Sequence, residues 1–383
     1  MIKIALLGST GSIGKQVLNV VDRYPEKFKI VSMAAGSNAA IFCEQINKYK
    51  PEIASLTDSY KASEIKSIPQ GTSFYYGENA ILHAVSEKAD IVVCAVMGFC
   101  GFRAVKLAVE MGKTVALANK ETLVAGGGII MPLAKKMGVN ILPVDSEHSA
   151  IWQCLDFNSE KKFKKLIITA SGGAFRDKTL EELETVTASD ALCHPTWNMG
   201  KKITVDCATM MNKGFEVLEA MWLFNATLSD IDVVVHPESI VHSMVEFDDG
   251  AILAQMGNPS MELPIQLALT YPTRLDSGVK PLSFLDRTLT FKGLDRKKYP
   301  CFAIMEEAIK IGENLPCALS AADEEAVELF LQNKIKYTDI QKCLEYVLQK
   351  TQKVPISYDN LIETDKYARA LCLEYYNNRC KNV

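Results

Sequence analysis

The chain has 383 residues, enough for two or three domains that each bury a core. At 48% apolar and 23% charged it has ordinary globular composition, which excludes a disordered or collagen-like chain. Forty-two Lys and Arg against forty-six Asp and Glu leave a formal charge of −4, with no basic footprint for nucleic acid or membrane, so an anionic ligand needs a local site.

In chain order, residues 1–145 alternate between two periods. Short apolar runs at 2–7, 29–34, 53–56, 91–96, 114–118 and 140–144 are mostly separated by amphipathic stretches such as 15–23, 41–48 and 80–88. Strands alternating with helices predict βαβ units and a parallel sheet covered on both faces. From 145 to about 286 the pattern changes to strand-like runs at 165–170, 232–235, 240–247 and 251–256 around a polar loop and one helix, which predicts an α+β domain. Beyond Tyr299 the apolar residues recur at helical spacing, as in Phe302, Ile304, Met305, Ala308 and Ile309, and again in Ala326, Val327, Phe330 and Leu331. This predicts a helical bundle. The fold class expected is therefore α/β: a Rossmann-like parallel-sheet domain over 1–145, a central α+β domain over 146–290 and a helical domain over 291–383.

The eleven cysteines include no CxxC pair, which fits neither a zinc knuckle nor a disulfide framework and points to a reducing, cytoplasmic setting. Neither the N-terminal run ending at Leu7 nor the apolar stretch 91–102 has the length of a signal-peptide core or a membrane span.

The first strand runs into Gly8-Ser9-Thr10-Gly11-Ser12-Ile13-Gly14, and a helix follows. Gly8 allows a tight turn, Gly11 lets backbone approach a pyrophosphate, and Gly14 lets the helix pack on the strand. The spacing is GxxGxxG, a variant of the dinucleotide fingerprint. The second strand ends at Gly36-Ser37-Asn38, with no carboxylate for the 2′-hydroxyl of NAD. These residues are either donors for the 2′-phosphate of NADP or plain turn residues.

Asp145 and Glu147 follow the last strand of this domain; if extended, they project to one side, an all-oxygen pair suited to Mg²⁺ or Mn²⁺. Such a pair alone is usually a solvated strand end, and it needs a third ligand nearby to point to a metal. Asn212 and Glu216 share one helix face beside Lys213, which fits a phosphate and a metal, although composition alone favours an exposed face with an ion pair between Lys213 and Glu216. Residues 170–175 form a small-residue turn, either an anion cradle or a plain β-turn. Residues 194–200 form a loop from His194-Pro195 to Gly200 with Trp197 at its centre, either a lid or a surface loop whose Trp packs on the core. His236 and His242 have no catalytic partner in sequence and are expected to be structural.

Taken in order, the segments GSTGSIG, LANKETLV, PVDSEHSA, ASGGAF, HPTWNMG, ATMMNKGFE and HPESIVHSMV resemble the 1-deoxy-D-xylulose 5-phosphate reductoisomerase family along nearly the whole chain. The resemblance implies conversion of 1-deoxy-D-xylulose 5-phosphate to 2-C-methyl-D-erythritol 4-phosphate in non-mevalonate isoprenoid biosynthesis. It also implies NADPH, a divalent cation (Mg²⁺, Mn²⁺ or Co²⁺) and a homodimer. Carried over by motif, Asp145, Glu147 and Glu216 hold the metal. Thr10, Gly11, Ser12, Ile13, Gly36, Ser37, Asn38, Asn119, Glu121 and Gly200 contact NADPH. Lys120, Ser146, Glu147, Ser171, His194, Cys207, Asn212, Lys213 and Glu216 fall at substrate positions, with Lys120, Glu147, His194 and Glu216 as the catalytic set.

The chain departs from the family at Cys207 (usually Ser), Ser37 (Lys or Arg in some members), Ser149 (Asn) and Ser260 (Asp). Two other readings fit the same layout: a metal-independent NADP-dependent dehydrogenase of a small oxo-acid, and a nucleotide-sensing module without chemistry.

Overall fold

The computed structural model describes residues 1–158 and 162–380; residues 159–161 and 381–383 of the expected central and helical segments lie outside the described residues. Contacts divide the chain into two compact units that do not follow sequence order. Residues 1–122, 130–149 and 260–279 form the first; residues 123–129, 150–259 and 280–383 form the second.

In the first unit, β1 (Ile2–Leu7), β2 (Phe28–Ala35), β3 (Ile53–Leu56), β4 (Ser73–Tyr76), β5 (Ile91–Cys94), β6 (Thr114–Leu117) and β7 (Ile141–Pro143) form a seven-stranded sheet in the order β4-β3-β2-β1-β5-β6-β7. All neighbours are parallel. Ile4 to Leu7 and all of β5 are buried without alternation, as expected where helices cover both faces. The strand order reverses beside β1, so a crevice for a ligand opens outside the carboxyl ends of β1 and β5.

Helix Glu262–Thr270 also belongs to this unit, far along the chain from the sheet it joins. Arg23 pairs with Glu262 at 2.8 Å, and the Tyr24 hydroxyl donates to the Asp276 carbonyl at 2.6 Å. Ser260 starts the segment by accepting from the Glu262 N–H at 3.2 Å, which gives this departure from the family a local role.

The expected strands sit on the apolar runs, but β4 has no such run behind it. It is an exposed edge strand, and its Ser-Phe-Tyr-Tyr has no buried stretch. The segment 80–88 is helical only over Ala80–His83, and at its end the Ser86 hydroxyl accepts the Lys88 N–H at 3.2 Å in a local turn.

In the second unit, β8 (Lys165–Ala170), β9 (Ile231–Val235), β10 (Val241–Glu246), β11 (Ile252–Met256) and β12 (Lys292–Gly293) form a mixed five-stranded sheet in the order β11-β10-β8-β9-β12. Only β8 and β9 run parallel. Helices Pro300–Ile311, Tyr337–Lys350 and Tyr358–Tyr375 pack around Leu315–Leu331, which is buried without a break from Leu315 to Asp323. The bundle also reaches the turn after β8. Phe175, 1% exposed, meets the Tyr337 ring edge-on at 5.0 Å, a contact worth about 0.5–1.5 kcal/mol beyond its area. No helix among the described residues is long and apolar enough to cross a membrane.

Candidate active site

In the first unit the glycine turn has no room for a side chain at Gly8 or at Gly14. Gly8 has φ +92°, and a Cβ there would lie 2.4 Å from the Ala95 carbonyl oxygen just beyond β5. A Cβ on Gly14 would lie 2.2 Å from the Gly8 carbonyl oxygen. Gly11 caps helix Ser12–Arg23 with no side-chain bond, and the first turn carries no acid. The first amides and the positive end of the helix are thus left to an anion. Gln45, buried on helix Ala39–Tyr49, grips this turn: it accepts from the Ser9 hydroxyl at 2.7 Å and donates to the Ser9 carbonyl at 3.0 Å. Nothing in the local sequence marks Gln45, which lies 36 positions from Ser9.

Gly36, Ser37 and Asn38 lie exposed beyond β2. The Asn38 side chain accepts from the Ile41 N–H at 3.2 Å and so caps the next helix. Asn119, 1% exposed, shares its amide hydrogens among the Val96 and Gly98 carbonyls, both at 3.1 Å, and Glu121 at 2.7 Å. Its oxygen accepts from the Thr122 N–H at 3.0 Å. Asn119 therefore fastens the loop after β5 to the loop after β6.

Asp145 and Glu147 are not extended, so their two-residue spacing does not by itself put them on one side. Ser146–Cys154 is a helix with Glu147 in its first turn, and the Glu147 N–H donates to Asp145 Oδ1 at 3.2 Å. The chain passes from β7 to this helix within two residues, and Asp145 acts as its capping acid. The Ser146 hydroxyl donates to the Glu147 carboxylate. Lys120 Nζ lies 2.9 Å from Asp145 Oδ2, and His148 Nδ1 lies 3.3 Å from Oδ1. Burial pushes the Asp145 carboxyl up, but the Lys120 ammonium and His148 more than reverse this and hold it well below the usual carboxylate range.

In the second unit, helix Lys201–Thr209 is capped by Gly200 and ends at Met210, whose φ of +62° turns the chain sharply into helix Met211–Phe224. The first turns of the second helix carry Asn212, Lys213 and Glu216, 6%, 3% and 1% exposed. Asn212 Nδ2 and Lys213 Nζ both donate to the Glu216 carboxylate. The expected ion pair exists, but on a buried face.

Ser171 ends the strand side of the 170–175 turn, and its Oγ lies 2.9 Å from His194 Nε2. His194 Nδ1 accepts from the Thr196 and Trp197 N–H groups at 3.1 and 2.9 Å, so it carries no proton. Nε2 therefore bears the hydrogen and donates to Ser171. Burial, then the Arg176 guanidinium, push the His194 imidazole down to about 4, which keeps it neutral. Ser171 Oγ also accepts the Gly173 N–H at 3.2 Å, so neither contact uses the hydroxyl's own proton.

Trp197 meets the His242 ring at 6.1 Å, and Cys207 is half-buried close behind Gly173. Lys202 pairs with Asp206 at 2.6 Å and Asp323 at 2.9 Å, tying the helix after the 194–200 loop to the bundle. His236 is structural as expected: its Nε2 accepts from the Ile240 and Val241 N–H groups, both at 3.1 Å, and its Nδ1 lies 2.8 Å from the Thr290 carbonyl.

The first unit thus has the fold and glycine turn of a nicotinamide-dinucleotide oxidoreductase, and the second carries a glycine turn with Ser171 hydrogen-bonded to His194 and a buried Lys–Glu–Asn group. Three segments match one family: 4–127 match 1-deoxy-D-xylulose 5-phosphate reductoisomerase, 141–224 its C-terminal domain, and 256–371 the DXP reductoisomerase C-terminal domain. The reductoisomerase of a Nostoc species is 45% identical over 375 residues, covering 96% of this chain and 94% of its own. A DOX-P reductoisomerase solved with NADPH, fosmidomycin and magnesium has a TM-score of 0.94 and 34% identity over 98% of both chains. The Zymomonas mobilis enzyme, solved with NADPH, has a TM-score of 0.91 and 36% identity over 98% of this chain and 99% of its own. The chain belongs to the 1-deoxy-D-xylulose 5-phosphate reductoisomerase family.

Proposed function

We propose that this chain converts 1-deoxy-D-xylulose 5-phosphate to 2-C-methyl-D-erythritol 4-phosphate, in non-mevalonate isoprenoid biosynthesis, with NADPH and a divalent cation. The observation that carries the reading is full-length likeness to a relative solved with NADPH, fosmidomycin and magnesium. Residues 1–145 bind NADPH, residues 146–290 carry catalysis, metal and dimer contacts, and residues 291–383 form the helical domain.

The residues suit both groups. The turn in which Cβ atoms at Gly8 and Gly14 would clash, leading into a helix whose glycine cap makes no side-chain bond, fits a pyrophosphate. In this reading Thr10, Gly11, Ser12 and Ile13 take that pyrophosphate, and Gly36, Ser37 and Asn38 the 2′-phosphate. Asn119, Glu121 and Gly200 border the nicotinamide end. The donor set Asp145, Glu147 and Glu216 is all oxygen, with Asp145 kept ionised, and fits Mg²⁺, Mn²⁺ or Co²⁺. Bound, the cation supplies Lewis-acid polarisation of the two adjacent oxygens of the hydroxyketone, and NADPH supplies hydride.

Ser171, Cys207, Asn212 and Lys213 anchor the phosphate away from the breaking bond, and that binding energy draws the 194–200 loop shut with His194 on Ser171. Lys120 and Ser146 face the hydroxyketone. The Lys120 ammonium stabilises the negative charge that grows on its oxygens during retro-aldol cleavage, before the fragments rejoin as a branched aldehyde and are reduced.

A homodimer is supported by edge strand β11, where Ile252, Leu253 and Met256 are 52%, 48% and 37% exposed. Cysteines free of disulfides, Cys94, Cys154 and Cys301 among them, support the cytoplasm.

The test follows nicotinamide absorbance with 1-deoxy-D-xylulose 5-phosphate, NADPH and Mn²⁺. Oxidation should stop with chelator and return with added Mn²⁺. Glu216→Gln should abolish turnover while NADPH still binds. Turnover that persists in chelator, or survives Glu216→Gln nearly intact, refutes the metal assignment; persistence with a small oxo-acid as substrate supports the dehydrogenase reading.

A further inference from the structure

The turn carrying Ser171 is shaped by groups far away in sequence. The Tyr299 hydroxyl donates to the Gly172 carbonyl at 3.0 Å across 127 positions, and Lys298 Nζ donates to the Arg176 carbonyl at 2.6 Å across 122. Arg176 Nη1 folds back to donate to the carbonyls of Ser171 at 3.3 Å and Pro237 at 3.2 Å. Gly172 and Gly173 take consecutive left-handed conformations, φ +81° and +69°. A Cβ on Gly173 would lie 2.3 Å from the Cys207 carbonyl oxygen, so the turn sits directly on the end of helix Lys201–Thr209. The carbonyl oxygens of Ser171 and Gly172 are thereby both turned to protein donors. What remains for an incoming anion is the donor side of the turn, including the Ser171 hydroxyl proton.

We propose that Tyr299 and Arg176 are positioning residues for the substrate's phosphate group. They hold the Gly172 and Ser171 carbonyls inward, so that the turn presents donors and no carbonyl dipole to the anion. This rests on the reading that Ser171 binds the phosphate. Tyr299 suits this role because it is 4% exposed and burial pushes its hydroxyl up to about 12, so it stays a donor throughout the working pH range. It stands immediately before helix Pro300–Ile311, and Phe175 at the other end of the turn packs on Tyr337. The C-terminal bundle thus serves as the bed of the phosphate turn.

The test is Tyr299→Phe, which removes one hydroxyl and keeps the ring. Loss of a single neutral hydrogen bond predicts a rise of about 5- to 10-fold in KM for 1-deoxy-D-xylulose 5-phosphate and in the inhibition constant of inorganic phosphate. The kcat and the Kd for NADPH should stay within about twofold, a split that general loss of structure does not produce. If Tyr299 acts through the turn, its effect must shrink to less than about twofold in a Ser171→Ala background. Arg176→Met, which keeps an unbranched stem but has no donor for either carbonyl, should raise KM in the same manner and supplies a second variant.

Equal effects of Tyr299→Phe in both backgrounds overturn the proposal. A Tyr299→Phe enzyme with wild-type kinetics beside an impaired Ser171→Ala overturns the positioning role and leaves the phosphate reading standing. Ser171→Ala with unchanged KM and unchanged phosphate inhibition overturns the phosphate reading and the proposal with it.

Discussion

Gly14→Ala is the sharpest probe of the nucleotide turn. The added Cβ would lie 2.2 Å from the Gly8 carbonyl oxygen, 2.7 Å from Ser9 Cα and 2.8 Å from the Ser9 carbonyl carbon, all main-chain atoms. Carbon and carbonyl oxygen ordinarily meet no closer than about 3.3 Å, so the overlap is about 1.1 Å. No side chain can rotate away to relieve it. The turn itself must move, with the Gly8 carbonyl that accepts the Gly11 N–H at 3.1 Å. Overpacking of this kind costs about 1–3 kcal/mol of stability. Displacing the phosphate-binding amides by about 1 Å costs on the order of 100-fold in productive binding.

Fluorescence titration should therefore show the Kd for NADPH raised by about 30- to 100-fold, with a lowered melting temperature, on the scale of that displacement. Gly293→Ala serves as control, because a Cβ there meets nothing within 4 Å. Gly36 has the same open space, so Gly36→Ala should leave stability unchanged and any loss of NADPH affinity would report cofactor contact. A folded Gly14→Ala protein that binds NADPH like the wild type would refute the assignment of this turn.

Two further outcomes are expected. Cys207→Ser should lower KM for the phosphosugar, because a hydroxyl is a better donor than a thiol; steady-state kinetics showing an unchanged or higher KM count against its phosphate role. His194 has its pKa depressed from 6.5 to about 4, so the ordering of its loop is fully present above 6.5 and is lost as pH falls through about 4. Nitrogen NMR of the imidazole should show an unprotonated Nδ1 at neutral pH and a midpoint well below 6.5, moving upward in Arg176→Leu; a protonated Nδ1 would contradict the tautomer, and a midpoint at 6.5 the buried setting beside Arg176.

The parts legible in the sequence are those whose signal is local. β1 and β3 fall on the apolar runs 2–7 and 53–56, because strands buried on both faces have little choice of residue. The helix bearing Asn212, Lys213 and Glu216 is legible from i, i+4 spacing, although its burial is not, since a charged face reads as solvated until its partners are known. Helix Glu121–Met137 is hard to read because it is apolar nearly all round and contains three consecutive glycines and Pro132, which hide its period. β4 is obscure for the opposite reason, having no buried face to keep apolar. The supports of the site are beyond reach in principle: Gln45 under Ser9 and Asp323 on Lys202 are ordinary polar residues whose meaning lies in contacts made across the chain.

The return of residues 260–279 to the first unit bears on how this protein is born. Helix Glu262–Thr270 packs on helix Ser12–Arg23 and on β6 and β7, and the part of their surface beneath it is covered only once it docks. A ribosome has therefore synthesised most of the polypeptide before the nucleotide module can close over its own apolar flank. Neither unit can be cloned as an uninterrupted fragment. A nascent chain stalled before residue 260 should be a client for chaperones that recognise that uncovered flank.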